Sequence, residues 1–410
     1  MKAIRKNMNY FYPLECKIQN YDWGSPSSFK QLFDIPNDTQ QPQAEIWMGA
    51  HANGCSSIKN DGSNILLSDF IEQNPLFTLG KKTVQRFSSL PYLFKVLSAE
   101  KALSVQVHPN KSQAENGFDQ EQSLGITAID DPKRNYKDNN HKPELVYALT
   151  PFQAMNGFRC HREVHSLLTE LNIAEITPLV QQYEVQLNSD GLKQLFADIL
   201  ALSGNAKQRV IQHLTHYAQT HSDNQPFDLV TQLATQYPND IGLFSPLFLH
   251  TITLNPGEAM FLNACTPHAY ISGTALEIMA NSDNVLRAGL TNKHIDVLEL
   301  ISCVRFEPQT QESLLLAPKV DHQGAHYRVP VDDFSFSIYG EQERQNNTSV
   351  SLHASSAEIL LPLDAPIVLE HSSGERLVCD KGQAVFICAA SNHYQVSCRG
   401  RFARAYCSLP

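Results

Sequence analysis

A helical block interrupts a chain that is otherwise rich in strand patterns, and this interruption constrains the fold more than any other feature. Up to about residue 150 the segments are short, β-branched or aromatic, and punctuated by Gly, Pro and Asn, as in LPYLFKVLSAEKALSVQVHP. From about 160 to 245 the apolar spacing lengthens, and SDGLKQLFADILAL carries one helical stripe behind a Ser/Asp cap: Leu192, Leu195, Phe196, Ile199 and Leu200. Strand patterns return after about residue 246. We expect a mainly β fold with an inserted α-helical domain.

The C-terminal stretch contains a weak internal repeat. PGEAMFLNACTPHAY, from Pro256, aligns with KGQAVFICAASNHYQ, from Lys381, at a constant offset of 125 residues. Three pairs match within it: Gly257 with Gly382, Phe261 with Phe386, and His268 with His393. A glycine turn, a short strand, a loop and a His-bearing strand suit one hairpin of a small barrel, so the repeat suggests two related barrels. Chance similarity of two hairpins explains it equally well.

Composition excludes several classes of protein. The 410 residues are 42% hydrophobic, enough for a sizeable core, and the net charge of -10 disfavours a nucleic-acid surface. The nine cysteines form no CxxC pair, which predicts a reduced, cytoplasmic chain. No apolar run reaches the ~18 residues of a membrane span, and the N-terminus lacks the apolar core of a signal peptide. We expect no nucleic-acid or membrane partner.

The segment SVQVHPNK places two ligating groups on one strand face. Side chains alternate along a strand, so Gln106 and His108 point one way while Val105 and Val107 point the other. Pro109 then ends the strand. An imidazole nitrogen and an amide oxygen suit a divalent metal such as zinc, although a pair of half-buried polar groups is the simpler interpretation.

Two further stretches add candidate ligands. In NHKPELVYAL, Pro143 enforces an extended backbone and directs Glu144 into a new strand. In NACTPHAY, His268 follows a proline and opens a strand in the same way. The alternatives are an ordinary polar loop and a hydrogen-bonded core histidine.

NVLRAGLT surrounds one arginine with apolar residues. A partly buried guanidinium needs an anion, so Arg287 predicts a contact with a carboxylate of the protein or with a phosphate. Three other charged residues lie nearby in the sequence: Glu277, Asp283 and Lys293.

The sequence resembles that of a known family, the type I mannose-6-phosphate isomerases, which are zinc enzymes of the cupin superfamily. The resemblance covers nearly the whole chain. It is carried by YPLECKIQNYDWGS, AEIWMGAH, LPYLFKVLSAEKALSVQVHPNK, NHKPELVYAL, NGFR, NACTPHAY and SDNVLRAGLTNKHID. The departures from the common pattern are Val107 for alanine, Asn110 for aspartate and Asn292 for proline.

The resemblance implies a cupin-type (jelly-roll) catalytic β-barrel from residues 1–152 and 247–315, and an inserted helical domain over 153–246. It also implies a C-terminal cupin-like barrel over 316–410 that lacks the metal, so we predict that His393 binds none.

The same resemblance implies the site residues. The zinc ligands would be Gln106, His108, Glu144 and His268, with one Zn2+ per chain. Arg287 would be catalytic, and Lys142 and His141 would lie beside the sugar. The remaining pocket residues would be Trp23, Glu45, Lys95, Ser104, Glu277, Asp283 and Lys293. Structural alternatives exist for three of these: Trp23 as a barrel plug, and Lys95 paired with Glu45 in the core.

The expected reaction is the reversible isomerisation of mannose 6-phosphate to fructose 6-phosphate by proton transfer between C2 and C1 through an enediol or enediolate. The base stays open among Glu277, Asp283, His141 and a zinc-bound water. The phosphate grip would come from Lys95, Lys142, Arg287 and Lys293. The expected partner is a small sugar phosphate, and the expected state is a cytoplasmic monomer.

Two other classes of protein compete with this interpretation. A two-His, one-carboxylate set also holds ferrous iron in dioxygenases, but Gln106 would fill a position that O2 needs. A non-catalytic sugar-phosphate-binding cupin would need no complete ligand set.

Overall fold

The computed structural model describes residues 8–60, 62–128, 131, 134–340 and 348–409. Residues 1–7, which the search for a signal peptide included, lie outside the described residues. None of the helices in these ranges is both long and apolar enough to cross a membrane.

The strands, in chain order, are β1 (Phe11–Pro13), β2 (Lys17–Gln19), β3 (Glu45–Met48), β4 (Ser57–Asn60), β5 (Ser63–Leu66), β6 (Tyr92–Ala99), β7 (Gln106–Val107), β8 (Glu144–Ala148), β9 (Phe152–Phe158), β10 (Leu249–Leu254), β11 (Ala259–Leu262), β12 (His268–Ala280), β13 (Leu286–Arg287), β14 (Lys319–Val320), β15 (Gly324–Tyr327), β16 (Ser335–Tyr339), β17 (Thr348–Ala354), β18 (Glu358–Pro362), β19 (Ile367–His371), β20 (Arg376–Cys379), β21 (Val385–Ile387), β22 (Asn392–Cys398) and β23 (Phe402–Tyr406).

The α-helices are α1 (Ser28–Phe33), α2 (Leu67–Gln73), α3 (Pro75–Thr78), α4 (Lys81–Phe87), α5 (Lys111–Ser123), α6 (His161–Glu170), α7 (Thr177–Val185), α8 (Ser189–Leu200), α9 (Gly204–Thr220), α10 (Phe227–Gln236), α11 (Ser245–Phe248) and α12 (Val297–Cys303). Helices dominate between about 161 and 248, and strands dominate on either side. The expected mixed fold, mainly β with an inserted helical domain, is confirmed at this level.

The chain divides into two compact units. Unit 1 contains the residues up to Ser98, Leu276–Asn281, and the residues from Ala317 onwards. Unit 2 contains Ala99–Ala275 and Ser282–Leu316. The three-part division expected from the sequence has other bounds than these two units, and it stays a prediction.

Two antiparallel sheets of unit 1 share a hydrophobic core. One has the order β1-β21-β18-β23-β16-β15-β14 and the other the order β17-β22-β19-β20. Alternation puts Val350 and Leu352 of β17 on the buried face, together with Tyr394 and Val396 of β22. In unit 1, β3 also pairs with β2 and with β6, and this pairing sets Trp47 opposite Lys95.

The helical block of unit 2 is held by its apolar stripes. In α8 the residues Leu192, Leu195, Phe196 and Ile199 are buried, as the spacing predicts, and Leu200 packs against them. The expected Ser/Asp cap is wrong: the side chain of Asn188 caps the helix, accepting hydrogen bonds from the backbone N–H of Asp190 and Gly191. An amide oxygen one residue earlier reaches the free N–H groups of the first turn.

Short strands of unit 2 bring the candidate ligands to strand ends. β9 pairs with β10 and β12, β8 pairs with β11, and β7 pairs with both β12 and β13. Glu144 is the first residue of β8 and His268 the first of β12, as the preceding prolines predict. β7 ends at Val107, so His108 lies one residue beyond it. The register of β12 with β9 shifts between Tyr270 and Ser272.

The two halves of the internal repeat have the same local structure. Gly257 and Gly382 both adopt a positive φ, 98° and 77°, which favours glycine. Each glycine precedes a short strand, β11 or β21, and each His-bearing strand follows, β12 or β22. The imidazole of His393 lies with its ring centroid 4.5 Å from that of His353. That His393 binds no metal stays a prediction.

Candidate active site

Three buried side chains of unit 2 converge on one point. His108 Nε2 lies 3.4 Å from Glu144 Oε1, and His268 Nε2 lies 3.4 Å from Glu144 Oε2. The three are 2–3% exposed. Among the described residues, this trio is a group of His, Cys, Asp and Glu side chains whose ligating atoms all lie within 4.8 Å of one another. The arrangement brings together residues far apart in the sequence, as expected for a metal centre.

The backbone fixes the orientation of both imidazoles. His108 Nδ1 donates a hydrogen bond to the carbonyl oxygen of Asn284 at 2.7 Å, and His268 Nδ1 donates to that of Thr266 at 2.9 Å. A carbonyl only accepts, so each Nδ1 carries the proton and each Nε2 presents a lone pair. Within the described part of the chain, the buried His108 Nε2 has no hydrogen-bond partner. A buried lone pair without a hydrogen bond is suited to binding a metal ion. The Nε2 atom of His268 and the carboxylate of Glu144 face the same point.

The charge states also suit a metal. Burial, and next the positive charge of Lys142, lower the pKa of His108 to about 4. Burial opposes ionisation of Glu144, yet the positive charge of Lys142 helps to hold the pKa of this carboxyl well below its usual range. The site therefore offers a neutral imidazole and a carboxylate near neutral pH, which are the forms that bind Zn2+.

Gln106 stands between His268 and Arg287 in the sheet. It is the register partner of His268 in the β7–β12 pair and of Arg287 in the β7–β13 pair. Directly opposed residues of antiparallel strands project to the same face, so these three side chains share one face. The Gln106 amide also lies 3.5 Å from Ser104 Oγ. The predicted fourth ligand is thus on the side of the sheet where His268 projects.

Two side chains adjoin the Glu144 carboxylate. Lys142 Nζ lies 3.3 Å from Glu144 Oε1, and the hydroxyl of Tyr270 donates to Glu144 Oε2 at 3.1 Å. His141, which precedes Lys142, is half-buried. Tyr270 was not among the residues predicted from the sequence, although its position two residues after His268 puts it on the same strand face.

Arg287 belongs to a group of positive charges that act on Lys293. The guanidinium is partly buried, and burial lowers its pKa. The charge of Arg287, burial and the charge of Lys137 lower the pKa of Lys293 in turn. Like charges held close together favour a bound anion. Lys137, which the sequence analysis missed, adds a third cation. Asp283 is half-buried and its backbone N–H donates to Asp138 Oδ2 at 2.7 Å.

Unit 1 contains a buried cluster of charged side chains. Lys95 Nζ lies 2.7 Å from Glu277 Oε2 and 3.5 Å from Glu45 Oε1. The indole N–H of Trp47 donates to Glu45 Oε2 at 2.7 Å, and Lys95 Nζ lies 5.4 Å from the centre of the Trp47 ring. The pairing of Lys95 with Glu45 considered from the sequence is present, with Glu277 as a second partner. Trp23 is half-buried beside Tyr21, their ring centroids 5.8 Å apart.

Comparison with known proteins gives concordant results. The sequence model of the catalytic domain of type I phosphomannose isomerases matches residues 11–161, and that of their helical insertion domain matches residues 167–249. The chain is 45% identical to the mannose-6-phosphate isomerase of Salmonella typhimurium over 393 residues, which are 96% of this chain and 98% of the relative. It is 36% identical to the human mannose-6-phosphate isomerase over 357 residues, 79% of this chain and 80% of the relative.

Solved structures agree with the sequence comparisons. A crystal structure of a zinc-bound mannose 6-phosphate isomerase matches with a TM-score of 0.91 at 44% identity, covering 98% of this chain and all of that one. A mutant of the Salmonella typhimurium phosphomannose isomerase matches with a TM-score of 0.92 at 44% identity and the same coverage. Identity at this level over nearly full length confirms the resemblance carried by the sequence motifs, and the chain belongs to the type I phosphomannose isomerase family.

Proposed function

We propose that this chain is a zinc-dependent isomerase that interconverts mannose 6-phosphate and fructose 6-phosphate. The observation that carries the proposal is the buried trio of His108, Glu144 and His268, in which both imidazoles are fixed by their Nδ1 hydrogen bonds. A buried, pre-oriented donor set is what a tightly held catalytic metal requires. Relatives named mannose-6-phosphate isomerase align over nearly the whole chain, which supports the same reaction.

Each chain would bind one zinc ion. Four side chains would hold it: Gln106, His108, Glu144 and His268. Only Glu144 among them is anionic, so a divalent ion keeps a single net positive charge in this site. When bound, the ion supplies Lewis-acid stabilisation of oxygens that become negative during the reaction. Gln106 also separates this set from an iron dioxygenase, because a fourth protein donor leaves less room for O2.

Arg287 would act on the same face as Gln106 and His268. The isomerisation moves a proton between C2 and C1, and the oxygens of the enediolate gain negative charge. A guanidinium held by its strand register can stabilise that charge without reorganising. Lys142 and His141 would contact the sugar, since Lys142 is held beside Glu144. The general base would be His141, Asp283, Glu277 or a water.

The phosphate of the substrate would bind to Arg287 and Lys293. Their mutual repulsion, together with that of Lys137, is relieved by a dianion. This local positive group offsets the overall charge of -10, which would otherwise repel a sugar phosphate. Lys95 and Lys142 each face a carboxylate instead, so they are weaker candidates for the phosphate grip.

Several further assignments belong to the same proposal. The pocket would also include Trp23, Glu45, Lys95, Ser104 and Glu277. The strands would form two cupin-type barrels, a catalytic one over 1–152 and 247–315 and a metal-free one over 316–410, with the helical domain over 153–246. The enzyme would work as a cytoplasmic monomer on a small sugar phosphate.

A chelation experiment tests the proposal. Fructose 6-phosphate formation from mannose 6-phosphate is measured on the purified protein, after removal of metal by a chelator, and after addition of Zn2+. We expect turnover that is lost on chelation and restored by Zn2+. The absence of turnover in metal-replete protein, or turnover that survives chelation, would show the proposal to be wrong.

A further inference from the structure

Asn284 connects a candidate metal ligand with the loop that delivers another. It is fully buried, at 0% exposure, and it belongs to the segment between β12 and β13. We infer that Asn284 is a positioning residue, which holds His108 and the segment leading to Glu144 in a fixed relation before any metal binds. The inference deepens the proposed function and rests on it.

Both polar atoms of the Asn284 side chain, Oδ1 and Nδ2, form hydrogen bonds with the backbone of the loop. Its Oδ1 accepts hydrogen bonds from the backbone N–H of Lys137 at 2.7 Å and of Asp138 at 3.2 Å. Its Nδ2 donates to the carbonyl oxygen of Asp138 at 2.7 Å and to that of Asn140 at 2.9 Å. Both lone pairs and both protons of the amide are therefore used.

The backbone of the same residue holds the other ligand. The carbonyl oxygen of Asn284 accepts the 2.7 Å hydrogen bond from His108 Nδ1, which sets the tautomer of that imidazole. One residue thus determines both the direction of the His108 lone pair and the path of residues 137–140. Glu144 lies four residues after Asn140, the last residue of that segment.

Neighbouring residues reinforce this contact. The hydroxyl of Ser282 donates to the carbonyl oxygen of Asn140 at 3.1 Å, and the N–H of Asp283 donates to Asp138 Oδ2 at 2.7 Å. Residues 137–143 form neither helix nor strand, so they lack the regular backbone hydrogen bonds of secondary structure. The hydrogen bonds from residues 282–284 fix this segment instead. We call residues 282–284 with residues 137–140 the Asn284 clasp.

An asparagine is required at this position for a chemical reason. Aspartate has nearly the same shape but no donor, so it would face two carbonyl oxygens without a proton to offer. A buried acceptor opposed to acceptors is strongly unfavourable. The Asn284→Asp substitution therefore removes the clasp with minimal change in volume.

The matched control is Asn37→Asp in unit 1. Asn37 is also buried, at 6% exposure, and its Nδ2 donates to the carbonyl oxygens of Pro26 at 2.8 Å and Gln41 at 2.7 Å. Both substitutions thus remove two donations to backbone carbonyls from a buried amide. The control differs in that, among the residues that the structure describes, the hydrogen bonds of Asn37 stay between positions 26 and 41 and include neither a candidate ligand nor the loop before one.

The test measures Zn2+ affinity by competition with a chromophoric chelator, and the visible spectrum of the Co2+-loaded protein. We expect Asn284→Asp to weaken Zn2+ binding about 10- to 100-fold, as loss of partners behind metal ligands typically does, and to alter the Co2+ spectrum. Asn37→Asp should lower the thermal midpoint of the metal-free protein and leave both metal readouts unchanged. Wild-type Zn2+ affinity and Co2+ spectrum in Asn284→Asp would overturn the inference.

A second measurement needs no variant, and so stands even where Asn284→Asp fails to fold. Hydrogen exchange is followed at the amides of Lys137 and Asp138 in wild-type protein with and without Zn2+. Zn2+ binding and the Asn284 clasp should stabilise each other. Zn2+ should therefore slow the exchange at Lys137 and Asp138 about fivefold or more, while the exchange rate of the Val230 amide in α10 stays unchanged. Equal exchange with and without Zn2+ would contradict the inference. Failure of the proposed function looks different, since wild-type protein would then neither bind Zn2+ nor turn over substrate.

Discussion

Arg287 and Gln106 are direct register partners in the antiparallel pairing of β13 with β7. Gln106 is in turn the register partner of His268, so three strands present Arg287, Gln106 and His268 in a row on one face. The spacing of this row is set by backbone hydrogen bonds rather than by flexible side chains. A guanidinium and two candidate ligands are thus placed by the sheet itself.

Replacement of Arg287 tests whether the guanidinium acts in catalysis. We expect Arg287→Ala to lower kcat about 100- to 1000-fold, the effect of removing one donor to a developing oxyanion, while zinc stays near stoichiometric. Steady-state kinetics and metal analysis measure the two quantities. Arg305→Ala, which removes an exposed arginine of the same unit, should leave kcat unchanged. Loss of zinc from Arg287→Ala would instead make the arginine structural.

The substitution Gln106→Glu tests why one ligand is an amide. A second carboxylate would neutralise the net positive charge left on the metal and weaken its Lewis acidity. We expect zinc to be retained and kcat to fall about tenfold or more, equivalent to about 1.4 kcal/mol of transition-state stabilisation. Metal analysis and kinetics of the same preparation decide the matter, and an unchanged kcat would refute the charge argument.

Lys293 should make substrate binding depend on pH. The charges of Arg287 and Lys137, with burial, lower its pKa below the ordinary 10.5. The protonated form binds phosphate, so KM should rise as pH increases through this lowered pKa, by up to about fivefold for an exposed ion pair. In Lys293→Arg the side chain stays charged, and the rise in KM should disappear. A KM for mannose 6-phosphate with the same pH dependence in both proteins would exclude Lys293 from the phosphate grip.

Lys95 should be essential for stability as well as for the proposed pocket. Its ammonium group separates two buried carboxylates, Glu45 and Glu277. The Lys95→Met substitution removes one ion pair from each of these two buried carboxylates, and we expect a loss of about 3–5 kcal/mol in the free energy of unfolding. Urea denaturation measures this loss. The exposed pair of Lys59 with Glu15 provides the control, because Lys59→Met should cost less than about 1 kcal/mol.

The sequence predicted those site features that depend on local rules. Proline before Glu144 and before His268 marked the first residues of two strands, and alternation put Gln106 and His108 on one side of Val105 and Val107, which are fully buried in the core of unit 2. These inferences needed only neighbours in the chain.

Other features depended on contacts between distant segments, which no local pattern specifies. Asn284 meets residues 137–140 and His108, which are more than 140 positions away. Lys137 likewise acts on the distant Lys293, so it resembled an ordinary loop lysine in the sequence. Asn188 was missed as a helix cap because two good capping residues follow it directly.

The register shift in β12 has a consequence for how this chain tolerates change. One extra residue between Tyr270 and Ser272 bends the strand and resets its alternation. Deletion of this extra residue would leave Tyr270 opposite Ala154 and Ser272 opposite Gln153 in regular succession, so the residues after Ser272 would keep their faces. This position of β12 can therefore absorb the loss of a residue, whereas a deletion in a regularly paired part of the strand would exchange the inner and outer faces of the side chains that follow.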